Sequence, residues 1–244
     1  MHRSIASPRG LRPLHLRLFA LLCLGATWWM FQLARPAAGP PPNREVCSEY
    51  PRGFPGATLA MEFVQSPGQV DCVVALGQRR LGPELRADAV TVALYWSILA
   101  CLSLIALGSG RPGLRRLGLL GGICATLGAV ADLTENYGIG RLLAGAREQN
   151  AIDLVRHAAY WKWGFLAAAF LLLAVFLFRR SVWSWLHGIL FVLAGGSIAW
   201  SLLAAERLPG LGSSVGWITY ALLACVLLFL LHPGSLLKTA EQRS

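Results

Sequence analysis

Acidic residues are scarce in this 244-residue sequence: Asp and Glu total 12 against 22 Lys and Arg, and charged residues make up 14%. Lysine is scarcer still, two residues against twenty arginines. So little charge, beside 55% apolar residues and a mean hydropathy of +0.54, excludes a soluble two-domain protein. It places the sequence in the membrane class. The net charge of +10 is spread over single residues and pairs, with no long basic run and no nucleic-acid fold motif, which excludes nucleic acid as a partner. There is no Gly-rich phosphate loop, no nucleophile elbow, no His-Glu-x-x-His and no internal repeat to argue from. Cys and His show no ligand spacing, so neither a metal nor a cofactor is expected. The excess of Arg over Lys points to a GC-rich bacterial genome through codon usage.

What the sequence does hold is long hydrophobic runs. A spanning helix needs about 20 mostly apolar residues, and six segments approach this: residues 16–33, 87–107, 117–137, 158–178, 182–204 and 213–231. The expected fold is therefore all-α, a bundle of six transmembrane helices with one long extracytoplasmic loop. Residues 1–34 are read as a cytoplasmic N-terminus and first span, and 35–86 as the loop. Residues 87–180 form a core of three spans with a polar site, and 181–244 two C-terminal spans and a cytoplasmic tail. The N-terminal segment carries Arg3, Arg9, Arg12 and Arg17 and no acid; Arg111, Arg115 and Arg116, and then Arg179 and Arg180, mark two short, purely basic connections. Such segments stay inside, so both termini are assigned to the cytoplasm of a bacterial plasma membrane. Total counts do not decide: 11 Lys/Arg fall inside and 10 outside, with Lys162 in a span. The first run is read as a retained anchor; the rival is a cleaved signal peptide, with Pro36-Ala37-Ala38 a poor cleavage site.

Pro36, Pro40, Pro41 and Pro42 make the start of the long loop extended and non-helical. Further on, Ser66 as N-cap and Pro67 at N1 open a short helix through Leu76. Cys47 and Cys72 are the only cysteines outside the spans. In an oxidising compartment they pair, closing a loop worth about 3 kcal/mol in the chain-entropy model; otherwise they are two unpaired thiols.

The stretch Asp132-Leu133-Thr134-Glu135-Asn136-Tyr137 ends the third span, after an uncharged apolar run over 117–131. Ionisable groups at that depth cost about 2.5–3.5 kcal/mol each on insertion scales and usually face a bundle interior or a wet cavity. Asp132, Glu135 and Asn136 stand at i, i+3 and i+4, on one helix face. The topology gathers Asp88, Asp132, Glu135, Asn136, Arg156, His157 and Lys162 toward the outer side, and these form the candidate ligand-binding set. Gly121, Ala125 and Gly128 lead into the acidic pair as a stripe of small residues, which lets another helix approach closely. The stripe is expected to pack on the fourth span, with Lys162 reaching Asp132 or Glu135. Three readings stay open: a structural ion pair that fixes helix register, a site for a lipid headgroup, small amphiphile or cation, or Glu135 at the water interface. The alternatives to a binding role are a membrane-embedded lipid-modifying enzyme, with Glu135 or Asp132 as general base and Lys162 or His157 as partner, and a structural or partner-binding subunit; catalytic residues stay unassigned and oligomeric state is not read.

Met61-Glu62-Phe63, Asp88, Asp132-Leu133-Thr134-Glu135-Asn136 and Lys162-Trp163 form a set. It resembles a group of uncharacterised bacterial multi-pass membrane proteins that share an Asp-x-x-Glu-Asn motif and a later Lys-Trp or Lys-Phe. The likeness covers roughly residues 57 to 180 and implies a four-helix membrane core without implying an activity. The Pro-rich insertion before Glu62 and the fifth and sixth spans depart from that pattern.

Overall fold

The computed structural model describes residues 13–33, 47–54, 56–178 and 182–237. The basic N-terminal segment, the Pro-rich stretch with its cleavage-site reading, Arg179-Arg180 and the C-terminal tail lie outside the described residues. The chain is all-helical, without a strand among the described residues. Its helices are α1 (Pro13–Leu33), α2 (Ala57–Glu62), α3 (Pro67–Leu107), α4 (Pro112–Leu143), α5 (Gln149–Phe178), α6 (Val182–Leu202), α7 (Leu211–Leu231) and α8 (Pro233–Leu237), with a 3-10 turn over Ala205–Gly210 before α7.

Five segments are long and apolar enough to cross a membrane among the described residues: Arg80–Leu107, Pro112–Leu143, Gln149–Phe178, Ser184–Leu202 and Ala205–Leu231. The count of six read from the sequence is thus five on this measure; the first apolar run is helix α1, which is not among the five. Successive long helices are neighbours: α3 lies on α4, α4 on α5, α5 on α6 and α6 on α7. Helix α1 then closes the ring by packing on both α7 and α3. Large apolar side chains such as Leu133, Trp161, Trp200 and Tyr220 remain exposed on the outside of this bundle, as expected of surfaces that meet lipid.

Two features of the expected loop are corrected. The short helix starting at Ser66-Pro67 and the span starting near residue 87 are one continuous 41-residue helix, α3. The Ser66 hydroxyl caps it by accepting a hydrogen bond from the Gln69 N–H at 3.2 Å. The interior Pro83 removes one backbone donor without ending the helix. At 1.5 Å per residue α3 is about 60 Å long, twice the ~30 Å hydrocarbon layer, so much of it projects beyond the apolar zone.

Part of the expected loop also folds back into the bundle. In α2 the residues Leu59, Ala60, Met61 and Glu62 are buried, and Phe63 and Val64 follow them inside. The segment is tucked against α3 and α5. A disulfide between Cys47 and Cys72, with Cα atoms 5.8 Å apart, ties its start to α3. Thr58 donates a hydrogen bond to Glu84, and Arg147 pairs with Asp71 at 2.7 Å, so the connections at this end are stitched together.

Candidate functional site

The register of α4 on α5 sets the site. A Cβ added at Gly138 would lie 2.6 Å from Cγ2 of Val155, so a larger residue would force this close helix contact to shift. Gly128 faces Leu166 and Gly121 faces Leu173. These three contacts define an antiparallel ladder, and the same ladder brings Lys162 opposite Asp132 and Glu135.

Lys162 Nζ donates to Glu62 Oε1 at 2.9 Å and to Glu135 Oε1 at 2.9 Å. It also lies 2.7 Å from Glu135 Oε2 and 3.5 Å from Asp132 Oδ1. Trp163 Nε1–H donates to Glu62 Oε2 at 2.7 Å, and its ring centroid lies 4.9 Å from the ammonium. Tyr95 donates its hydroxyl to Asp132 Oδ2 at 2.9 Å. All four ionisable side chains are buried, with Glu62 5%, Asp132 4%, Glu135 1% and Lys162 4% exposed. The cluster therefore joins α2, α4 and α5 directly, and α3 through Tyr95.

The charge does not balance. With every group ionised, three carboxylates and one ammonium leave two negative charges uncompensated. Asp132 Oδ1 and Glu135 Oε2 face Nζ yet accept no hydrogen bond. An ammonium has three N–H donors, too few for the four carboxylate oxygens that Trp163 and Tyr95 leave to it. Buried charge without a partner is costly enough that groups neutralise instead. Glu62, in α2 outside the spanning helices, has its carboxyl pushed above the usual range by burial, which outweighs the opposing pull of the Lys162 ammonium and the Trp163 hydrogen bond.

Of the residues singled out in the sequence, Asp132, Glu135 and Lys162 meet directly. Asp88 and Asn136 form a second pair, in which Asn136 Nδ2 donates to Asp88 Oδ2 at 2.7 Å while the buried Asn136 Oδ1 has no hydrogen-bond partner. Arg156 and His157 are not brought into the cluster: Arg156 pairs with Asp153 at 2.9 Å, and His157 is exposed. Three contributors lay outside the candidate ligand-binding set, Glu62, Tyr95 and Trp163, although Glu62 and Trp163 belong to the residues that carry the resemblance. Glu62 had a signal, as the lone charge in the apolar stretch 57–64, and Trp163 follows the only lysine in a span. Tyr95 had none, since a tyrosine in a span is ordinary. Among the described residues no group of three or more His, Cys, Asp or Glu is arranged to hold a metal ion; the lysine stands at the meeting point of the carboxylates. Compared with known proteins, the chain matches no family model, no curated protein and no solved structure.

Proposed function

We propose that the chain is a multi-pass protein of a bacterial plasma membrane, with six spans, both termini in the cytoplasm and a buried site for a cation in its outer half. The proton is the cation that suits the geometry best. Helix α1 is the sixth span: it is apolar, 21 residues long, and sits between α7 and α3 in the ring. The Cys47–Cys72 disulfide supports the orientation, because such bonds persist on the oxidising side of a membrane. It lies at the end of the bundle where Glu62 is held over Lys162. The resemblance to bacterial proteins with Asp-x-x-Glu-Asn and Lys-Trp fits as well, since the Asp, Glu, Lys and Trp of that pattern meet, while its Asn pairs with Asp88.

One observation carries the reading: three buried carboxylates converge on a single buried ammonium. Of a lipid headgroup, a small amphiphile and a cation, only the cation relieves the excess negative charge. The close packing around Nζ favours the smallest one. Intramembrane ionisable residues of this kind commonly serve proton relays. A purely structural ion pair is the competing role, favoured by the two hydrogen bonds that Lys162 donates within the cluster.

Infrared titration of the protein in lipid nanodiscs separates the two. A protonated-carboxyl stretch present at neutral pH, lost at high pH and weakened in Glu62→Gln, Asp132→Asn or Glu135→Gln, is the expected result. Absence of any protonated-carboxyl band at neutral pH overturns the proton site and leaves the structural pair.

A further inference from the structure

At the same end of the bundle, but separate from the cluster, lies a cavity of about 400 Å³, within the size range of small-molecule sites. Its wall is aromatic: Phe54 stacks on Phe63 with centroids 5.6 Å apart, and Tyr160 meets Phe63 edge-on at 5.4 Å. Two exposed charges of opposite sign, Arg52 and Glu206, also line it, with the amide of Gln65 beside them. Neither charge is paired among the described residues. Arg207, the neighbour of Glu206, lies instead over the Trp200 ring, 4.1 Å from the centroid. Gly53 holds Arg52 in place through a left-handed turn, φ +85°, pressed against Pro209 so closely that a Cβ would sit 2.9 Å from Cγ. The cavity is thus built from segments far apart in the chain: the loop before α2, the connection from α2 into α3, Tyr160 of α5 and the turn before α7.

We propose that this cavity binds a small zwitterion. Arg52 takes its anionic group, as a guanidinium suits phosphate or carboxylate. Glu206 and Tyr160, the exposed ring of the wall, take its ammonium, the charge paired to one and attracted by the other. Two sources carry this chemistry: a phosphoethanolamine-type lipid headgroup and a free amino acid. The site does not depend on the protonation of the cluster, although Phe63 in its wall directly follows Glu62 in the chain.

The test is calorimetric titration of the full chain in maltoside micelles, which offer no competing zwitterion. The probes are glycerophosphoethanolamine and phenylalanine, with glycerol phosphate and ethanolamine as half-ligands. At least one zwitterion binds saturably, and each half-ligand binds roughly tenfold more weakly or less. Arg52→Gln and Glu206→Gln each weaken zwitterion binding by roughly tenfold without changing the thermal midpoint of the unliganded protein, since both side chains are exposed. Preference for glycerophosphoethanolamine assigns the headgroup, and preference for phenylalanine assigns the free zwitterion; either supports the site. Binding of neither zwitterion, or binding indifferent to both substitutions, overturns it.

Discussion

The two halves of the bundle bury very different chemistry. Between α4 and α5 lie Asp132, Glu135 and Lys162, joined by Glu62 from α2. Between α6 and α7 the buried polar side chains are serines, Ser184, Ser201 and Ser214, whose hydroxyls donate to backbone carbonyls: Ser201 to Ser197 within α6, Ser214 to Gly210 in the turn before α7, and Ser184 to Leu177 of α5. Ser201 and Ser214 are satisfied within four residues of chain, and Ser184 within seven. The charged cluster is satisfied only when segments far apart in the chain arrive together, Glu62 and Lys162 being 100 residues apart. One half therefore holds together by small, independent contacts, and the other by a mutual dependence that fails as a unit.

Removing the cation should show this dependence most strongly. Lys162→Met leaves three buried carboxylates facing one another and is expected to cost about 3–5 kcal/mol, measured as a lowered denaturation midpoint in detergent. Next comes the tether of α2. Replacing Cys47 and Cys72 by Ser, or adding a reductant, should lower stability by about 3 kcal/mol in the chain-entropy model, while a reductant should leave the doubly substituted protein unchanged.

The acid side of the comparison gives a pH dependence. Because the folded protein holds the Glu62 carboxyl above its ordinary value, the folded state keeps a proton that the unfolded chain has released. This contribution is full below the ordinary glutamate range near about 4.3. It is lost as pH rises through the raised folded value, so stability falls across that window. Glu62→Gln should flatten that part of the thermal-midpoint profile; an unchanged slope would place its origin elsewhere. The smallest effect belongs to the other half: Ser201→Ala in α6 removes one helix-internal hydrogen bond and should cost under about 1 kcal/mol. A loss comparable to that of Lys162→Met would erase the contrast between the halves.

Much of the charged half was legible in the residues themselves. The i, i+3 spacing of Asp132 and Glu135, the small-residue stripe before them and the position of Lys162 in the next span suffice to predict an α4–α5 contact through glycine and an ion pair across it. What stayed hidden came from outside the spans or from residues without a signature. Glu62 reaches Lys162 because a short helix folds back into the bundle, and no local pattern encodes that return. Tyr95 differs from lipid-facing tyrosines such as Tyr220 only in what it touches. The start of α3 was correctly marked by Ser66 and Pro67, but its continuation was not, since Gly77, Gly82 and Pro83 look like breaks and are tolerated within the packed helix. Arg156 and His157 share their neighbourhood in sequence with Lys162 yet point elsewhere, since helical periodicity separates residues five or six apart.

A double-mutant cycle between Glu62 and Lys162 probes the convergence most directly. Stabilities of Glu62→Gln, Lys162→Met and the combined variant should be non-additive, with a coupling of about 0.5–3 kcal/mol that marks residues in contact. Strict additivity would mean that the α2 carboxylate and the α5 ammonium do not meet, and the shared buried site would not exist.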